Sequence, residues 1–238
     1  MTSPYIYKQG AKYANILVVA DHAGFALPVG AQIGVSAGDM ARHIAGDIGT
    51  SEIATLLNES HQFSIFMSYY SRLWVDLNRH YEDADVIPTY SDDVEIGANH
   101  ISVDERAQRL DAYHHAYHDA LTQIIEGNRP DLIISLHSFT PKLASKPEIN
   151  RPWDMGILYN QQEFSSKKAL AHLKSINLII GDQLPYSGKL LNASMDRHAE
   201  ARNIPYFGVE IRQDHINDGK GQARFAQILA ETATNIIE

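Results

Sequence analysis

Leu132-Ile133-Ile134-Ser135-Leu136, followed directly by His137-Ser138, is the stretch on which the fold turns. Four of its first five side chains are large and aliphatic, and so short an apolar run reads as a strand buried on both faces. Similar runs recur along the chain: Ile16-Leu17-Val18-Val19-Ala20, Ser64-Ile65-Phe66-Met67, Leu73-Trp74-Val75, Leu178-Ile179-Ile180 and Tyr206-Phe207-Gly208-Val209. Between them, residues 39–60, 103–126, 162–175, 194–203 and 221–237 space their apolar side chains as helices packed on one face do. In the second of these, Ala107, Leu110, Tyr117, Leu121 and Ile125 recur at threes and fours. The alternation predicts a sheet covered by helices on both sides, with functional groups gathered where strands run out into loops. No repeat, low-complexity tract or linker interrupts it. Residues 80–101, rich in Asp, Pro, Gly and Asn, read as a long surface loop, and loops of that length are often functional.

A chain of 238 residues with 44% hydrophobic content can bury a large core and fits one sizeable α/β domain, residues 1–238. The formal net charge of −9 argues against a protein that tracks a nucleic-acid backbone, which requires clustered Lys and Arg. No apolar run approaches the roughly 20 residues of a membrane span, and the polar start Met1-Thr2-Ser3-Pro4 does not read as a secretory signal, so a cytoplasmic protein is expected. The sequence contains no cysteine, which rules out disulfides, thiolate ligands and a cysteine nucleophile. Any metal would therefore be held by histidine and carboxylate.

Three polar groups stand at or just beyond apolar strand runs: His22 after Val19-Ala20, His137 after Leu136, and Glu210 after Val209. If those strands are neighbours, two imidazoles and a carboxylate converge at one sheet edge, the composition of a hydrolytic zinc site with a general base. Taken singly, each strand-end histidine is as readily a structural residue.

Local patterns around these positions are specific. Asp21-His22-Ala23-Gly24 with Pro28 resembles the His-x-Gly segment that opens N-formylglutamate amidohydrolases. Asp76-Leu77-Asn78-Arg79 is similar to a motif shared with aspartoacylases and, more distantly, zinc carboxypeptidases. Ser135 to Pro141 resembles the family's second metal-histidine segment, and Gly208 to Asp214 its catalytic-glutamate strand. Arg151-Pro152-Trp153, Gly156-Ile157-Leu158 and Pro185-Tyr186-Ser187-Gly188 fit one branch of it. The motifs occur in the family's order from about residue 15 onward.

This resemblance implies an α/β three-layer sandwich with a mixed sheet, of the zinc-exopeptidase (phosphorylase/hydrolase-like) type, and hydrolysis of an amide bond. The substrate implied is a small anionic N-acyl amino acid, N-formyl-L-glutamate. His22 and His137 would bind Zn²⁺, which lowers the pKa of a bound water from 15.7 toward about 7. Glu210 would take the water's proton and pass it to the leaving amine. Arg72 would polarise the scissile carbonyl. Asn78, Arg79, Arg212 and Tyr186 would hold the substrate, since guanidinium binds carboxylate bidentately and stays charged. The residues themselves leave other readings open: Glu210 could pair with Arg212 or Lys189, and Arg72 and Arg79 could balance Asp76 and Glu82.

The related enzymes use His-x-x-Glu, but the third residue after His22 is Phe25, which cannot ligate zinc. Asp47, in His43-Ile44-Ala45-Gly46-Asp47, is the candidate third ligand. Being four residues from His43 on an expected helix, it could equally form an i,i+4 pair or cap a helix. Two further patterns compete. Gly34-Val35-Ser36-Ala37-Gly38 matches a serine-hydrolase motif, although the residues before it make a poor central strand. His114 and His118 lie four apart on an expected helix, a spacing that can bind metal, but no His-Glu-x-x-His is present and a largely solvated face is expected. Two rival functions follow: a serine hydrolase using Ser36, and a non-catalytic protein that binds an acidic small molecule.

Overall fold

The computed structural model describes residues 3–238. Seven strands form one mixed sheet and two more a short hairpin. The strands are β1 (Tyr5–Lys8), β2 (Tyr13–Ala20), β3 (Phe63–Ser68), β4 (Tyr90–Ser91), β5 (Val94–Glu95), β6 (Leu132–Phe139), β7 (Met155–Leu158), β8 (Ile180–Asp182) and β9 (Tyr206–Arg212). The sheet order is β1-β3-β2-β6-β9-β7-β8, and β4 pairs only with β5. The central strands β3, β2, β6 and β9 run parallel, whereas β1 and β7 are antiparallel to their neighbours β3 and β9. Their common direction carries the C-terminal ends of the four parallel strands to one edge of the sheet.

The helices are α1 (Ala37–Met40), α2 (Thr50–Glu59), α3 (Val103–Arg109), α4 (Ala116–Gly127), α5 (Phe164–Lys174), α6 (Ala193–His198) and α7 (Gly219–Ile237). The period of two along each strand sorts side chains between the layers. Ile16, Val18, Leu132, Ile134, Phe207 and Val209 pack with Ile53 and Leu57 of α2, Leu170 of α5, and Phe225 and Leu229 of α7. Leu17, Val19, Ile133 and Tyr206 pack on the other side with Tyr117 and Leu121 of α4 and Met195 of α6. This is the expected three-layer arrangement with a mixed sheet. Among the described residues, no helix is long and apolar enough to cross a membrane.

Several local expectations are corrected. Leu73-Trp74-Val75 is a turn, because Ser71 draws it back: its carbonyl accepts from Trp74 N at 2.9 Å and its hydroxyl from Leu73 N at 3.2 Å. The run is buried without being extended, a distinction that periodicity cannot make in three residues. The helix expected over residues 39–60 is instead the four-residue α1, a series of turns, and α2. Strands β1 and β7 and the β4-β5 hairpin are additional to the strands expected from the apolar runs, and the Leu178-Ile179-Ile180 strand begins later, at Ile180.

Candidate metal centre and active site

His22 follows β2 directly, His137 lies within β6, and Glu210 lies within β9 in direct register with His137. On β6, residues 133, 135 and 137 face the α4 layer, and on β9 so do 206, 208 and 210. His137 and Glu210 therefore emerge on the same side of two adjacent strands. The His22 and His137 rings are 5.1 Å apart, centroid to centroid.

Asp47 reaches this edge from the loop before α2. Its N–H donates to the His22 carbonyl at 2.8 Å, and Ser138 N donates to its Oδ2 at 3.2 Å, tying the loop to β2 and β6. Gly46 permits the approach, and Gly24 lets the segment after β2 lie against the backbone that follows β3. A Cβ on Gly24 would lie 2.3 Å from the Tyr69 carbonyl carbon, and one on Gly46 would lie 2.8 Å from the Phe25 ring. Phe25, three residues after His22, thus packs against the loop that carries Asp47.

The result is a buried cluster in which one ligand atom each from His22, Asp47 and His137 lies within 4.8 Å of the others. His22 Nε2–H donates to Asp76 Oδ1 at 2.7 Å, which leaves Nδ1 with the lone pair. That Nδ1 is buried with no hydrogen-bond partner among the described residues and sits 3.6 Å from Asp47 Oδ2. His137 Nδ1 is 2.9 Å from the same oxygen, and Ser135 Oγ lies 3.2 Å from its Nε2. An orphaned buried nitrogen, a second imidazole and a carboxylate oxygen converging on one point suit a divalent metal that accepts nitrogen and oxygen ligands.

The electrostatics are those of a buried, strongly polarised site. Burial opposes ionisation of Asp47, but the imidazoles of His22 and His137 outweigh it and hold the carboxyl below its usual range. Burial likewise opposes a charge on His137, yet the hydrogen bond to Asp47 pushes it up to about 9. Asp76 is held well below the usual carboxylate range despite burial, chiefly by Arg72 and His22. Glu210 behaves oppositely: burial pushes it up to about 7, and among the described residues its Oε2 has no hydrogen-bond partner.

A cavity of about 600 Å³, including its mouth, opens over the cluster and is lined by His22, Asp47, His137 and Glu210 together with His43, Arg72, Asn78, Arg79, Ser138, Thr140, Leu158, Tyr186 and Leu191. Arg72 is clamped by Asp76 Oδ2 at 2.7 Å and lies 3.5 Å from Asp47. Among the described residues, the Arg79 side chain makes a single hydrogen bond, to the Asn78 carbonyl at 3.1 Å, which leaves most of its fork available. Asn78 is committed to the fold, its Oδ1 accepting from Ser194 N at 3.0 Å. The Tyr186 hydroxyl accepts from Arg151 at 3.0 Å.

Arg212 is the exception among the expected site residues. Strand β9 ends at it, and its guanidinium turns to Asp214 at 2.8 Å and to the Pro152 and Trp153 carbonyls, away from the cavity lining. Glu210 accordingly does not pair with it. Ser36 is the N-cap of α1, donating to Asp39 Oδ2 at 2.6 Å and accepting from Asp39 N at 3.0 Å. Its surroundings are a capped turn rather than a strand-to-helix elbow. His114 and His118 are buried, in contrast to the solvated face expected of them, and donate to the Arg79 and Leu77 carbonyls at 3.0 and 2.9 Å. The sequence reading also overlooked Ser138, Thr140, Leu158 and Leu191 as cavity residues. The first two follow a strand-end histidine, which was the available signal, whereas Leu191 sits in a loop with none.

A family model for N-formylglutamate amidohydrolase matches residues 14–217. No curated protein matches the chain in sequence. Among solved structures, a gene product of Agrobacterium tumefaciens superposes with a TM-score of 0.90 at 26% identity, covering 99% of this chain and 95% of its own. An N-formylglutamate amidohydrolase from Ralstonia eutropha superposes with a TM-score of 0.74 at 16% identity, covering 98% and 97%. A bacteriophage poly-gamma-glutamate hydrolase shares the fold at a TM-score of 0.50 and 10% identity, covering 100% and 91%.

Proposed function

Because the chain belongs to the N-formylglutamate amidohydrolase family, we propose that it hydrolyses the amide bond of an N-acyl amino acid, N-formyl-L-glutamate, to formate and glutamate. The observation that carries this reading is the convergence of His22, Asp47 and His137 beside a Glu210 with a free carboxyl oxygen, in a cavity also lined by Arg72 and Arg79. His22, His137 and Asp47 would hold Zn²⁺, which supplies Lewis acidity and makes water a usable nucleophile near neutral pH.

The chain's own groups account for the rest of the reaction. Arg79, with its fork largely unengaged, binds a carboxylate of the substrate. Arg72, fixed by Asp76, presents positive charge where the carbonyl oxygen becomes negative as water adds to the formyl carbon. Glu210, raised by burial toward neutrality, accepts the water's proton and returns it to the amide nitrogen. The carbon–nitrogen bond then breaks, releasing formate and the amino group of glutamate. Tyr186 closes one side of the cavity.

The test is formate release from N-formyl-L-glutamate by the purified protein, before and after treatment with a chelator and after reloading with zinc. Activity lost on chelation and restored by zinc supports the reading. Full activity in a metal-free sample, or no turnover by a sample carrying one zinc per chain, would overturn it.

A further inference from the structure

His43 lines the cavity but has no task in the reaction described above. It lies in the turn-rich segment between α1 and Asp47, half-buried, with Nε2 3.4 Å from Asp92 Oδ2. Asp92 comes from the turn of the β4-β5 hairpin, and its side chain is only 4% exposed. Four donors fix that carboxylate: Arg42 at 2.8 Å, Ala144 N at 3.1 Å, and Ser145 through N at 2.9 Å and Oγ at 2.7 Å. A carboxylate held so completely also fixes the edge of the imidazole that faces it.

The proton on that edge determines what the other edge can do. Nε2 faces the Asp92 carboxylate at ion-pair distance, which favours the proton on that nitrogen, and Nδ1 of a neutral ring is then an acceptor. Burial, the largest influence, lowers the pKa of His43 in spite of Asp92 and so favours the neutral ring. Among the described residues, Nδ1 has no hydrogen-bond partner. The cavity's guanidinium groups serve the carbonyl and carboxylate oxygens of an N-acyl amino acid, but its amide N–H needs an acceptor. Asn78 Oδ1 is already taken by Ser194, Asp47 belongs to the ligand cluster, and the free oxygen of Glu210 is assigned to the water's proton.

We propose that His43 is a further substrate-contacting residue, accepting the N–H of the amide to be cleaved through Nδ1, and that Asp92 is the residue that positions it. The inference rests on the amidohydrolase reading and deepens it by assigning this site a preference for amides over the corresponding esters. An ester oxygen has no proton to give and would set its lone pairs against that of Nδ1.

The experiment compares N-formyl-L-glutamate with its formate ester analogue, 2-formyloxyglutarate, in zinc-loaded wild type, His43→Gln, His43→Asn and Asp92→Asn. Glutamine places its amide near the Nε2 position, whereas asparagine sets its oxygen near the place of Nδ1. His43→Gln is expected to raise KM for the amide about tenfold, the effect of one hydrogen bond, and to leave the ester within about twofold. His43→Asn should recover most of the loss, and Asp92→Asn should lower the amide-to-ester ratio without loss of zinc. Equal effects on both compounds, or an unchanged amide KM in His43→Gln, would overturn the role of His43 while leaving the amidohydrolase reading intact. Failure of zinc-loaded wild type to turn over either compound would overturn both.

Discussion

Asp76 holds His22 by a 2.7 Å hydrogen bond from Nε2–H to Oδ1, while its other oxygen holds Arg72 at 2.7 Å. One carboxylate thus sets the tautomer of a candidate ligand and the place of a guanidinium in the same cavity. It is itself set by the Asn78 N–H, which donates to Oδ1 at 3.0 Å. Asp76→Asn keeps the shape but removes the charge that orients both partners. Zinc affinity is expected to fall by about tenfold to a hundredfold, read by competition with a chromophoric chelator. Unchanged affinity would mean that His22 needs no such support, or does not bind the metal.

Glu210 faces the cluster from the strand beside His137, with one oxygen unpartnered. Glu210→Gln preserves size and polarity while removing the titratable group. The kcat for formate release should drop by about 10² to 10⁴, the usual range for loss of a general base, with zinc content unchanged. A variant within threefold of wild type would place the proton transfers elsewhere.

Arg79 and Arg212 separate a substrate contact from a structural one. Arg79→Met should raise KM by about tenfold to a hundredfold with a smaller effect on kcat, since hydrogen bonds to charged groups are worth about 1.5–3 kcal/mol. Arg212→Met should leave KM alone and lower unfolding stability by about 1–2 kcal/mol, because its partners are the Pro152 and Trp153 carbonyls, Asp214, Asp154 and His215, none of which lines the cavity. Denaturant unfolding and steady-state kinetics on both variants check the division. A KM effect in Arg212→Met would return that residue to the site.

His198 is fully buried, and its Nε2–H donates to His118 Nδ1 at 2.9 Å, since His118 Nε2–H is committed to the Leu77 carbonyl. Burial, aided by Arg197, Arg202 and His114, pulls its pKa from 6.5 to about 3. The sign follows from linkage: between those values the unfolded chain binds the proton and the folded chain does not, so stability falls as pH drops below 6.5. From pH 7 to pH 4.5 this group alone should cost about 2–3 kcal/mol. His198→Gln, which retains a donor near Nε2, should lose correspondingly less stability over that interval in denaturant titrations. An identical loss would assign the acid sensitivity to other groups.

Much of this was legible in residue order. Leu132 to Leu136 and Ile16 to Ala20 are strands because continuous aliphatic runs of that length are stable only when buried on both sides. The strand-end positions of His22 and His137 followed from where those runs stop. The candidate third ligand was harder to read, because Asp47 reaches the cluster through turns rather than along a helix, by way of a close approach at Gly46. The buried state of His114 and His118 was hidden for a related reason. Their Nε2 partners are the carbonyls of Arg79 and Leu77, backbone atoms whose direction no side-chain pattern encodes, and the Nδ1 of His118 meets His198 from a distant helix.

The sequence by itself determined the layers, the family motifs and the residue types available for chemistry, because strand burial and helix periodicity are local properties of the chain. Tertiary structure alone decided that Asp47 joins His22 and His137, that Arg212 turns away while Arg79 stays in the cavity, and that His43 meets Asp92 across the hairpin. Those outcomes depend on where loops cross one another and on which buried hydrogen-bonding groups find partners there. Such partnerships are settled only when distant segments pack together.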